Sequence, residues 1–441
     1  MPVHTTEESN KIGVYEAIAY CLGDIVGSGI FVSPTAILRH SGSVGLSLCI
    51  WIGGALIAVI GALVYVELGT CIRKSGCDFA YLTHAKWHPL AVAFLWVSVS
   101  LTYPTILAIQ TLTFGKDYWL DTLKRLIGFM ALGLLVFINM FSLSKFAGRF
   151  QVVVTISKLC VISIIICTGI YYILFKGRTE VFENSFKNSS TDAGNIALAL
   201  YASLFAYNGW DILNFGTEEI ENPRRTLPVA ALCGIGIAAV VYVAMNVAYF
   251  SVMTVDEFVA SDAVAVSILW ANLAIRYLFA GAKKNVVPSM VKCVHEESMS
   301  PRAAIIVELF AAVSISFMGD LDHLIGYMSF AMWMQRACSQ CALLYMRFMD
   351  WPFPKDAFRT PIFLPIIFLI ICVCLLVVPA RNDPHIAIYG GSAVGAGLLI
   401  YFIFVYPNCK PSIFHQINES SVIATQLALN VVPTTDSDEE A

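Results

Sequence analysis

Gly23-Asp24-Ile25-Val26-Gly27-Ser28-Gly29-Ile30-Phe31 interrupts an apolar stretch, residues 14–38, that is long enough to be one membrane helix. Crossing a hydrocarbon core of about 30 Å takes roughly 20 apolar residues. Three glycines within seven residues each cost about 1 kcal/mol relative to alanine in a helix interior, so the helix is expected to unwind here. Unwound backbone frees amide N–H groups that can hold a carboxylate and carbonyls that can hold an ammonium. On the glycines alone, close packing against a neighbouring helix through small residues is an equal reading.

Working outward, apolar stretches of the same length recur near 44–68, 89–112, 125–144, 149–175, 194–218, 227–251, 264–282, 302–319, 322–347, 359–379 and 385–406. These make eleven or twelve spans, the eighth being the weakest. Composition agrees: 58% of the residues are hydrophobic and 13% charged, with mean hydropathy +0.74, against roughly half and a quarter in soluble chains. Backbone groups in lipid must bond within their own segment, and the alternation of a barrel strand is missing, so the spans are helices of an all-α membrane protein. The 27 basic and 31 acidic residues leave a net charge of −4, which gives no basis for nucleic-acid binding. The expected layout is a cytoplasmic N-terminus over 1–12, a transmembrane domain over 13–406, and a disordered cytoplasmic tail over 407–441 that ends in Asp436-Ser437-Asp438-Glu439-Glu440.

The polar N-terminus lacks the basic region and cleavage site of a secretory signal. With it placed inside, sixteen basic residues fall on the cytoplasmic side and eight outside, which supports two cytoplasmic termini. The sequon Asn188-Ser189-Ser190 then lies in an outer loop as a glycosylation candidate. None of the thirteen cysteines falls in an outer loop, so no structural disulfide is expected. The histidines form no metal-spaced or triad-like set, so neither a metal, a cofactor nor an enzyme is expected.

Span six carries a second interruption, Phe205-Ala206-Tyr207-Asn208-Gly209-Trp210-Asp211. Spans one and six hold equivalent places in two five-helix halves. Paired breaks of this kind point to a transporter site at the membrane midplane, between inverted repeats. Frayed helix ends that offer both amides and carbonyls suit an amino-acid zwitterion. Asp24, one turn before Gly27, and Asp211 add carboxylates at that depth, where an ionisable group is a functional candidate by default. They could recognise a cationic side chain or hold a proton or sodium ion. Asp24 could equally be protonated or hydrogen-bonded within the break, or paired with Lys158 or Arg336.

Gly27-Ser28-Gly29-Ile30-Phe31-Val32-Ser33-Pro34, Glu67-Leu68-Gly69-Thr70, Asp78-Phe79-Ala80-Tyr81-Leu82, Leu204-Phe205-Ala206-Tyr207, Gly209-Trp210-Asp211 and Thr217-Glu218-Glu219-Ile220-Glu221-Asn222-Pro223 appear in this order. Together they resemble the light (catalytic) subunits of heteromeric amino acid transporters, the L-type and y+L-type members of the amino acid–polyamine–organocation superfamily. The resemblance runs from about residue 12 to 406. It implies twelve helices in a LeuT-like 5+5 inverted repeat with helices 1 and 6 broken, and sodium-independent exchange of amino acids at the plasma membrane. It implies that Ser28 and Gly29 bind the substrate carboxylate, that carbonyls near Ile25 and Phe205 accept its ammonium, and that the Phe205 ring is a gate. Asp211 resembles y+L-type members, which take cationic as well as neutral amino acids.

Three departures qualify this. The loop Gly115-Lys116-Asp117-Tyr118-Trp119 lacks the cysteine that links such subunits to a glycoprotein heavy chain, which leaves only a non-covalent heavy subunit as a partner. Asn208 replaces a small residue and would narrow the pocket. The eighth helix is shortened by some two dozen residues before Trp270-Ala271-Asn272-Leu273, which keeps open the alternatives of an ion-coupled uptake carrier and a transport-inactive membrane scaffold or sensor.

Overall fold

The fold is that of a computed structural model, which describes residues 11–27, 29–114, 126, 128–130, 132–134, 148–177, 180–253, 293–294, 302–317, 321–354, 356–406, 412–429 and 431–433. The chain divides into two compact units, each built from three separate stretches of sequence. The first comprises Met1–Trp87, Ile162–Ser261 and Trp333–Pro384; the second comprises His88–Val161, Asp262–Met332 and His385–Ala441.

The first unit begins with α1 (Val14–Ile25) and α2 (Gly29–Ser41), two short helices bent 48° from each other. The break expected in span one is therefore present. Next come α3 (Val44–Cys71) and the short α4 (Cys77–His84). Ser43 starts α3 by accepting the Leu46 amide at 3.3 Å, which satisfies one of the free donors of the first turn. The last part of α7 (Gly148–Lys176) enters this unit, followed by α8 (Ala193–Ala206), whose cap Asp192 accepts the Asn195 amide at 3.0 Å.

After Ala206 the chain turns and continues only as a 3-10 helix, Ile212–Glu219, so the expected break in span six is also present. α9 (Pro223–Val252) opens on a proline, whose missing N–H costs nothing at a first helical position. The end of α11 (Leu321–Phe348) and all of α12 (Phe363–Asn382) complete the unit. Its largest fully buried side chains include Trp51, Tyr65, Tyr81, Tyr201, Tyr207 and Tyr242. Ile12, just before α1, exchanges backbone hydrogen bonds with Glu219 and Glu221 at 2.9 and 3.1 Å.

The second unit holds α5 (His88–Val97), a π-helical turn at Ser98–Thr102, α6 (Tyr103–Phe114), the start of α7, α10 (Arg302–Ile315) and the start of α11. α13 (Pro384–Ile400) and α14 (Ser412–Leu429) follow. Leu107, Leu132 and Ala312 form a small core within it. A two-strand pair joins Cys293–Val294 to Val432–Pro433.

Among the described residues, six helices are long and apolar enough to cross a membrane, or seven if the α1–α2 pair counts as one span. Most of span four and all of the eighth span, expected to be shortened, lie outside the described residues. Within 407–441, expected as a disordered tail, Ser412–Leu429 form α14, eighteen residues without glycine or proline, and Arg302 donates to the Leu429 carbonyl at 3.0 Å.

Candidate functional site

α1 ends where helical bonding stops. The Val26 amide closes the last turn on Leu22 O at 2.9 Å, and the Gly27 amide turns back to Ile25 O at 2.8 Å. α8 ends in the same way, the Asn208 amide donating to Phe205 O at 3.2 Å. The two frayed ends lie side by side. A methyl group built on Gly29 would sit 2.5 Å from the Ala206 Cα, so α2 starts in backbone contact with the end of α8. Gly209 has φ +108°, and a methyl group there would lie 2.3 Å from Asp24 Oδ2. Only glycine meets both demands, a left-handed backbone and a carboxylate against it.

Tyr242 on α9 ties the breaks together. Its hydroxyl, fully buried, lies 2.6 Å from Ile25 O and 3.0 Å from Ala206 O, and so donates between the last carbonyls of the two half-helices. The ring is held edge-on to Trp51 at 5.3 Å and tilted on Tyr207 at 5.0 Å.

Asp211 and Asn208 have a partner that faces them from α11. The Arg336 guanidinium donates to Asn208 Oδ1 at 2.9 Å and to Asp211 Oδ2 at 3.3 Å. It lies between the rings of Trp210 and Trp333, 4.7 and 5.0 Å from their centroids. Guanidinium over an aromatic face is an attractive arrangement, stronger where water is excluded. A second carboxylate nearby, Asp78, is satisfied by Tyr65 OH at 2.6 Å, Ser339 Oγ at 2.7 Å and Gln335 Nε2 at 2.9 Å.

Of the ten residues expected at the site, Asp24, Ile25, Gly27, Gly29, Asn208, Gly209, Trp210 and Asp211 are buried around the two breaks, and Phe205 is half-buried. Ser28 lies outside the described residues. Asn188 is on the surface, its loop held to the turn before α3 by a Ser43–Ser189 hydroxyl contact at 2.7 Å. Arg336, one of the two cations expected as a partner for Asp24, is directed to Asp211. Sequence reading missed Tyr242, because a tyrosine inside an apolar helix carries no distinguishing pattern. It noted Arg336 as a charge within a span without finding its partner.

Residues 12–274 match the amino acid permease family, so the match ends inside the expected eighth span. "Amino acid transporter protein 6" of Caenorhabditis elegans is 40% identical over 477 residues, covering 98% of this chain and 91% of the relative. The human b(0,+)-type amino acid transporter 1 is 32% identical, covering 97% and 94%. The human cystine/glutamate transporter is 30% identical, covering 97% and 91%. With a family match over more than half of its length and such relatives along nearly all of it, the chain belongs to the amino acid permease family.

Proposed function

We propose that the chain is a sodium-independent exchanger of L-amino acids with neutral side chains, working by alternating access around its two broken helices. Amides of the Gly27–Gly29 stretch would hold the substrate carboxylate, and the carbonyls at the ends of α1 and α8 its ammonium. The observation that carries this reading is Tyr242. One hydroxyl proton lies between Ile25 O and Ala206 O, which marks where both frayed ends offer acceptors to a donor. A carbonyl oxygen has two lone pairs, so an ammonium can join that arrangement. The names of the relatives, one for cystine and glutamate, are consistent with a shared backbone site whose side-chain preference varies.

The test is uptake of labelled leucine into proteoliposomes. Preloading with unlabelled leucine should stimulate it severalfold, and a sodium gradient should not. Uptake driven by a sodium or proton gradient into empty vesicles would instead support an ion-coupled carrier, a reading that the buried Asp24 carboxylate favours. A well-folded protein that moves no amino acid would support a scaffold or sensor role. The same proposal places the chain in the plasma membrane with both termini cytoplasmic, a glycan on Asn188 and a non-covalent glycoprotein heavy subunit as partner.

A further inference from the structure

Asp211 is one of two carboxylates, with Asp24, that could attract a lysine- or arginine-like side chain. It is already occupied. We infer that Arg336 is a specificity-determining residue: it supplies, from within the chain, the cation that Asp211 would otherwise take from a substrate, and so restricts the site to neutral side chains. The inference rests on the exchanger reading of the same site and adds the residue that sets its selectivity.

Three observations support it. Arg336 is 4% exposed and Asp211 9%, so water does little to screen the pair. The guanidinium is held from four directions, by Asn208 Oδ1, Asp211 Oδ2 and the rings of Trp210 and Trp333. Asn208, Trp210 and Asp211 are all in the interrupted stretch of span six, where Gly209 also rests on Asp24, so the cation sits at the break. A second cation entering there would meet Arg336 at close range in a poorly solvated setting, which is strongly disfavoured. It would have to compete for Asp211 with a guanidinium that already donates to Oδ2 and lies 4.7 and 5.0 Å from the ring centroids of Trp210 and Trp333. Asp78 offers no free alternative, since Tyr65, Gln335 and Ser339 already donate to it.

The experiment uses purified full-length protein. Equilibrium binding of labelled leucine and labelled arginine in detergent is measured beside exchange in proteoliposomes. The wild type should bind leucine and not arginine. Arg336→Gln should raise the arginine-to-leucine binding ratio by roughly tenfold or more, the scale expected when a buried charge is opened to an incoming cation. Arg336→Lys, which keeps the charge, should retain the wild-type ratio. Arg336→Gln combined with Asp211→Asn should return the ratio to the wild-type value, because no carboxylate is then unmasked.

Arginine binding by the wild type overturns the inference. So does an unchanged ratio in a monodisperse Arg336→Gln protein, or arginine acceptance by Arg336→Lys or by the double variant. If Arg336→Gln does not fold, Arg336→Met, which also removes the cation but keeps an unbranched side chain beside Trp210 and Trp333, takes its place with the same expected rise in the ratio, and arginine binding by the wild type overturns the inference in either case. Leucine binding without exchange in the wild type would sink the exchanger reading while leaving the Arg336 ratio measurable.

Discussion

The Tyr242 hydroxyl has one proton and two acceptors, Ile25 O and Ala206 O. Tyr242→Phe leaves the ring packing intact and removes only that donor. A buried hydrogen bond is worth about 1 kcal/mol net, so we expect a small fall in thermal stability and a larger, severalfold fall in leucine exchange, because both half-helix ends lose their common reference. An unchanged exchange rate in a normally expressed variant would exclude this role. Gly209 makes a steeper demand. With φ +108° and Asp24 Oδ2 in the way of a side chain, Gly209→Ala should cost more than about 1 kcal/mol, read as a lower melting temperature and lost leucine binding. At this scale the sequence was informative about kind and silent about contact. It marked Gly209 as a breaker, but the carboxylate that forbids a methyl group there is 185 positions away in the chain.

Helices α3 and α11 carry a buried polar join outside the candidate site. The Arg347 Nε donates to Glu67 Oε1 at 2.7 Å, its Nη2 donates to Thr360 O at 2.7 Å, and the Thr360 amide donates to Glu67 Oε2 at 3.1 Å. Glu67 is 1% exposed. Removing one member of such a pair strands the other charge, at a cost of about 3–5 kcal/mol. Arg347→Met should therefore lower the melting temperature sharply, and Arg347→Met with Glu67→Leu should recover much of the loss. Equal melting for the single and double variants would show that the pair does not act as a unit. The elements themselves were largely legible. Apolar runs of about 20 residues, and glycine with polar residues at both breaks, are local signals carried by contiguous chain.

Across the whole molecule, large apolar side chains remain on the surface of the long helices. Leu56, Ile164, Val240 and Ile370 are 59%, 65%, 71% and 56% exposed. In water these would be liabilities; in a bilayer they are the lipid contact. Val240→Arg, at mid-length in α9, should raise the apparent cost of membrane insertion by about 3 kcal/mol, visible as reduced membrane-integrated protein in a glycosylation-tag assay. Insertion equal to wild type would mean that this face is not in lipid. The sequence by itself determined the membrane class, the approximate spans and the positions of both breaks, because hydropathy over 20 residues and clustered glycines are properties of contiguous chain. Tertiary structure alone decided which groups meet at those breaks. Tyr242 lies 217 positions from Ile25 and Arg336 lies 125 from Asp211, and no local pattern encodes such pairings. They follow from how buried helices pack, where an ionised or polar group must find whatever partner the fold places within about 3 Å.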